Sequence, residues 1–173
     1  PDGGIPYTST FNTVKFYYKC DIPAGDSLYV LVMRFSSGVM TEMLVLPAAT
    51  GQVNSWTQGT VSLAANTQDE LFIGFVMGDP INENYCAPGA WARIDNVQLY
   101  NGANAQTALP DYSFENWQSV SVESPDDWFT YNEMLAGMGL ENVNKTADAN
   151  SGMYAAEMAT VQEPVYGDTI PAM

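Results

Sequence analysis

The chain contains no histidine, and that absence excludes more chemistry than any residue present adds. His-based triads and histidine metal sites are ruled out. A Ser or Cys nucleophile needs a base beside it, and only Lys15, Lys19 and Lys145 remain as amine candidates. No glycine-rich phosphate loop is present. Carboxylates are plentiful, and Glu123, Asp126, Asp127 and Glu133 lie close together in sequence. Two carboxyls roughly 5 to 10 Å apart are the minimum for glycoside hydrolysis. This cluster lacks the aromatic and basic framing that would raise an acid's pKa, so it reads as a solvated face. No catalytic residue is expected.

Aromatic rings beside hydrogen-bonding side chains offer a different chemistry. Sugar rings stack on flat Trp and Tyr faces, while amide, carboxylate and guanidinium groups bond the hydroxyls. Trp91 follows the turn sequence Cys86-Ala87-Pro88-Gly89 and precedes a strand, where a side chain can face a loop-lined cleft. Tyr85, Trp91 and Arg93 are the glycan-binding candidates, joined by Tyr131 and Asn132 if the two parts of the chain pair.

The 20 acidic and 5 basic side chains give a formal net charge of −15. So few cations cannot drive counterion release, and an anionic membrane would repel this surface. Neither a nucleic-acid partner nor membrane insertion is expected, and no apolar run approaches the roughly 18 to 20 residues of a span. At 46% hydrophobic and 12% aromatic, the 173 residues are too apolar for a disordered tail. Many Gly, Pro, Asn, Ser and Thr residues fit a loop-rich exported domain, either mature or an internal stretch of a longer protein. In that setting Cys20 and Cys86 are expected to form one disulfide, the alternative being two buried thiols.

Strands must position these side chains. Segments 14–20, 28–35, 40–46, 56–63, 71–77 and 91–100 are dense in β-branched, aromatic and aliphatic types, with turn residues between most of them. That spacing predicts an all-β antiparallel sandwich or jelly roll. Residues 132–140 could supply one turn of helix. Residues 103–107 read as a polar linker. Residues 1–102 carry 9 acids and 4 bases, and residues 103–173 carry 11 acids and 1 base.

Motifs on both sides of that linker resemble one family. Gly4-Ile5-Pro6-Tyr7, Phe16-Tyr17-Tyr18-Lys19, Gly25-Asp26, the stretch 56–63 and Ile94-Asp95-Asn96-Val97 match the back half of a domain. The stretch 109–117, Pro125-Asp126-Asp127-Trp128 and the stretch 145–156 match a front half. The family is that of the carbohydrate-binding-module-like β-sandwiches of secreted and surface proteins in Bacteroidetes-type bacteria, with the PCMD type the nearest. The order is inverted here: residues 1–102 resemble the end of one module and residues 108–173 the start of the next. The sandwich is therefore expected to be completed by the second part or by a neighbouring chain.

The resemblance implies a non-catalytic, extracellular or cell-surface module that binds a glycan or surface polysaccharide. The alternative is a structural repeat of an adhesin or filament that shares strands with neighbouring copies of itself. It implies a structural calcium ion held by Glu115 and Asp95 with backbone carbonyls. It places Trp56, Trp117 and Trp128 in the core. Asp26-Ser27-Leu28 and Asp168-Thr169-Ile170 fit the O-glycosylation pattern of such bacteria, making Ser27 and Thr169 candidate acceptors.

Overall fold

The computed structural model describes residues 4–79, 81, 84–119, 122–163, 169–170 and 172, with the main chain alone at Asn84, Tyr85, Gln118 and Ser119. Its first part runs through β1 (Ile5–Pro6), β2 (Thr13–Ile22), β3 (Leu28–Ser36), β4 (Val39–Ala49), β5 (Gly51–Ser62), β6 (Glu70–Asp79), β7 (Asn84–Tyr85), β8 (Trp91–Asn101) and β9 (Asn104–Ala105). The second part adds β10 (Trp117–Ser119), β11 (Glu123–Pro125), helix α1 (Asn132–Leu135), β12 (Val143–Thr146), β13 (Ala155–Ala159), β14 (Val161–Gln162) and β15 (Thr169–Ile170). One sheet has the order β1-β6-β3-β4, with β7 also on β6. The other has the order β12-β13-β8-β2-β5, with β9 also on β8. Every pairing is antiparallel, so the fold is an all-β sandwich.

Alternation along the strands builds the core. Leu28, Val30 and Val32 of β3 face inward toward Val14, Phe16 and Cys20 of β2 and Ala92, Ile94 and Leu99 of β8, all buried. Burying each large apolar side chain contributes about 1.5 to 3 kcal/mol. The rings of Phe16 and Phe75 meet edge to face with centroids 5.0 Å apart, tying the sheets together. Arg34 continues the inward row of β3 as a fully buried cation. It pairs with Glu42, donates to the carbonyls of Ala64 (3.1 Å) and Phe11 (3.3 Å) and lies over the Phe11 ring.

The second part of the chain completes the sheet of the first. β13 pairs with β8 through Ala156↔Ile94, Glu157↔Arg93, Met158↔Ala92 and Ala159↔Trp91, and β12 pairs with β13 in turn. Ala156, Met158 and Val143 thereby enter the same core as Ile94. The stretch 103–107, expected to be a linker, turns back instead. Tyr100 pairs with Ala105 and Asn101 with Asn104 around Gly102 and Ala103. An Asn-Gly pair between strands favours a tight hairpin over an open connection.

Candidate functional site

The outer face of the larger sheet carries aromatic and charged side chains in close register. Lys19 of β2 stands directly opposite Arg93 of β8, which stands opposite Glu157 of β13. Their chain neighbours Cys20, Ala92 and Met158 are buried, so these three alternate outward. Two cations side by side across a ladder repel. Asp148, on the loop after β12, relieves this by accepting from Lys19 Nζ at 2.8 and 3.0 Å and from an Arg93 terminal nitrogen. Arg93 Nε also donates to Glu157 at 2.5 Å.

An indole adjoins each cation. The Arg93 guanidinium lies 4.9 Å from the Trp91 ring centre, and Lys19 Nζ lies 5.4 Å from that of Trp56. Trp56 Nε1 also donates to Asp148 at 3.3 Å. The hydrogen bond and charge of Lys19, with Arg93, hold the Asp148 carboxyl below its ordinary pKa despite some desolvation. Burial works against the Arg93 charge, but Glu157 and Asp148 outweigh it and raise its pKa. Two cations and two anions balance locally. The patch can stack and exchange hydrogen bonds, but it holds no nucleophile with a base.

The structure brings Trp91 and Arg93 together and buries Asn132. Asn132 is fully buried: its amide donates to the carbonyls of Glu123 (3.0 Å) and Val143 (2.5 Å) and accepts from the N–H groups of Asn142 and Val143. It locks α1 to β12 and has no surface to offer a sugar, which corrects the expectation. Tyr131 packs edge-on against Phe129, just before α1. Tyr85 pairs its backbone with Gly78, and its side chain lies outside the described residues. Trp117 and Trp128 pack against the core as expected. Trp56 does not, because it stands on the outer face beside Asp148. Its polar neighbours Asn54, Ser55, Thr57 and Gln58 were the available signal.

Glu115 and Asp95 converge on one loop, the stretch 150–154. Asp95 Oδ2 accepts the N–H groups of Asn150 (2.8 Å) and Ser151 (3.1 Å). The Glu115 carboxylate accepts those of Met153 (2.9 Å) and Tyr154 (3.3 Å). Two irregularities aim these acids. β8 carries an extra residue opposite β2 near Asn96, whose φ is +52°, and this bulge turns Asp95 inward. Asp111 Oδ1 accepts the N–H groups of Glu115 and Asn116, closing the turn that presents Glu115. Asp95 is fully buried, and among the described residues its Oδ1 has no hydrogen-bond partner. Burial raises the Asp95 pKa against the pull of the backbone N–H groups, and the nearby Glu115 charge adds to the rise.

Among the described residues no three Asp, Glu or Cys side chains gather around one point. A cation at this loop would therefore rest on Asp95, Glu115 and main-chain carbonyls. The orphaned Oδ1 fits such a role, since a cation would supply the partner it lacks.

Cys20 and Cys86 are both free, buried thiols, so the expected disulfide is not made. Each points at a different carbonyl: Cys20 at Gly51 (3.4 Å) and Cys86 at Ser27 (3.6 Å). Ser27 is half-buried in the turn before β3, and Thr169 is half-buried in β15. In the acidic stretch Glu123 pairs with Lys145 at 2.9 Å, while Asp127 and Glu133 are exposed, as a solvated face requires. No family model, curated protein or solved structure matches the chain.

Proposed function

We propose that this chain is a non-catalytic, extracellular β-sandwich module that binds a glycan on the outer face of its larger sheet. One observation carries the reading: Trp91 and Trp56 each adjoin a cation of the Arg93–Asp148–Lys19 network. Indole faces give sugar rings a stacking surface, and the network gives their hydroxyls donors and acceptors held in place. Its balanced charge favours a neutral or weakly charged saccharide over a polyanion. A structural Ca²⁺ held by Asp95 and Glu115 belongs to this reading, and when bound it neutralises two carboxylates beside one loop. Screening the protein on an oligosaccharide array tests the proposal. Binding that disappears in Trp91→Ala supports it, and an array without a binder rejects it.

A second reading, a structural subunit of an adhesin or filament, is favoured by the outer face of the smaller sheet. Tyr29, Leu31, Met33 and Phe35 of β3 alternate outward, opposite Met40, Met43 and Val45 of β4. Met40 and Met43 are 51% and 45% exposed. Leu31 and Phe35 are themselves buried and Glu70 stands opposite Phe35, so the exposed apolar part centres on Met40 and Met43, where copies of a chain of charge −15 would meet with few opposing carboxylates. Sedimentation over a hundredfold concentration range decides: growth in mass that Met43→Lys abolishes supports it, and a constant monomer rejects it.

A further inference from the structure

The last strand of each sheet is nearly free of charge. Residues 43–68 contain no Asp, Glu, Lys or Arg, whereas residues 69–173 contain 16 acids and 2 bases. That uncharged stretch supplies β4 from Met43 onward and all of β5, which end the smaller and the larger sheet. Edge strands are ordinarily guarded by charged side chains, and along this part of β4 only Pro47 interrupts the edge.

The direction of the β4 main chain follows from its neighbours. Met77 stands opposite Leu28, and its N–H points away from β3 to the Ala172 carbonyl at 3.2 Å. Antiparallel ladders alternate, so Leu28, Val30 and Val32 turn their main-chain groups to β4, and Tyr29, Leu31 and Met33 turn theirs to β6. Val45 and Met43, opposite Leu31 and Met33, therefore present N–H and C=O to the open side of β4. Pro47, opposite Tyr29, has the same direction, so its missing N–H costs no bond to β3. Among the described residues nothing pairs with β4 on that side. The residues outside the described set adjoin β1, β6, β7, β10, β11, β14 and β15 in sequence, and none of these strands pairs with β4.

We infer that the open edge of β4 pairs with β4 of a second copy, antiparallel about a two-fold axis at Leu44. In that register Met43 faces the partner's Val45, and Val45 faces the partner's Met43. Each pair exchanges two N–H···O=C bonds. Leu44 is half-buried and would meet the partner's Leu44 in the intervening close pair, with Cα atoms about 4.5 Å apart. The edge is thus complementary to itself, as an isologous contact requires, and the assembly closes at two copies.

Charge selects the occupant. Two chains of −15 repel least where neither carries a charge, and a strongly charged partner would find no counter-charge along Met43 to Ser62. A small apolar ligand would leave the Met43 and Val45 groups unmet. The contact lies in the sheet that lacks Trp91, so it goes beyond the glycan reading. A closed pair also differs from the continuing growth of a filament, and the two are told apart by mass.

The test is sedimentation of the intact chain over a hundredfold concentration range, with amide hydrogen exchange at low and high concentration. The mass should double and grow no further, and exchange at Met43 and Val45 should slow roughly tenfold or more as the pair forms. Val45→Pro removes an N–H on the side where Pro47 is already accommodated. It should stay monomeric, with exchange at Phe16 and Ile94 unchanged; should it fail to fold, the wild-type exchange decides alone. A dimer whose Met43 and Val45 amides exchange freely, or a folded Val45→Pro that still dimerises, would overturn the inference. So would a constant monomer, including one whose two amides are protected only by an added valine–threonine peptide, because a foreign strand would then be the occupant.

Discussion

Glu115 Oε1 occupies the place where a side chain on Gly152 would begin: a Cβ there would sit 2.0 Å from it. Gly152 also has φ of +66°, which side-chain-bearing residues adopt at a cost. Gly152→Ala should therefore destabilise the fold by about 2 to 4 kcal/mol. In a Glu115→Ala background the same change should cost only the backbone share, about 1 to 2 kcal/mol. Denaturant melts of the four proteins in this cycle measure the coupling, and additive effects would mean that the carboxylate does not reach the glycine.

The buried Asp95 predicts a pH dependence of definite sign. Burial raises its pKa in the folded state, so the native protein holds this proton more tightly than the unfolded chain does. Its contribution to stability is full below the unfolded value, about 3.9, and is lost as pH rises through the raised folded value. Asp95→Asn keeps the acceptor for Asn150 and Ser151 and removes the titration. The stability of wild type relative to Asp95→Asn should fall as pH rises through that window, measured by urea melts in chelator. A flat difference would contradict the assignment.

Calcium should reverse that penalty. With millimolar Ca²⁺ at neutral pH the wild-type Tm should rise by several degrees over its value in chelator, because only the folded state offers the site. Asp95→Asn should lose most of the response. Equal melting with and without the ion would remove calcium from the account.

The thiols predict silence. Burial raises the pKa of both, that of Cys86 to about 11, with the Asp26 charge adding to the rise and main-chain hydrogen bonding at Ser27 and Cys86 opposing it. Neither should react with a thiol reagent at pH 8 until denaturant is added, when both should. A native protein without titratable thiols even when unfolded would indicate the disulfide instead.

The strands of the first part were legible because β-branched, aromatic and aliphatic residues are dense along them and turn residues separate most of them. The expected stretch 28–35 became Leu28–Ser36, and 91–100 became Trp91–Asn101. Residues 132–140 gave one helical turn, Asn132–Leu135, before a 3-10 turn. The convergence of Asp95 and Glu115 was reached through the motif resemblance. Periodicity alone hides it, since a bulge at Asn96 re-aims Asp95. Asn132 misled because a polar residue beside aromatic ones reads equally as a ligand or as a buried clamp, and only its tertiary partners distinguish the two. Trp56 was missed because an indole in a strand favours burial unless the outward register is known.

Sharing of one sheet between the two parts has a plain consequence. Residues 108–173 alone lack the β8 edge on which β13 lies, and residues 1–107 alone expose that edge. Expressed separately, neither should give the dispersed amide spectrum of the whole chain; mixed, they should recover it. A folded, monomeric fragment of residues 108–173 would contradict the shared sandwich.

The glycan proposal is tested most directly by the indole N–H signals of the four tryptophans. Trp117 donates to Phe114 and Trp128 to Asp111, both within the packed part of the fold, whereas Trp56 and Trp91 lie beside the Lys19–Asp148–Arg93 network. Two-dimensional NMR with an oligosaccharide that binds on the array should move the Trp56 and Trp91 indole signals in a saturable way and leave those of Trp117 and Trp128 in place. Saturable shifts confined to Trp117 and Trp128, or no indole shift from any oligosaccharide at millimolar concentration, would contradict the proposal.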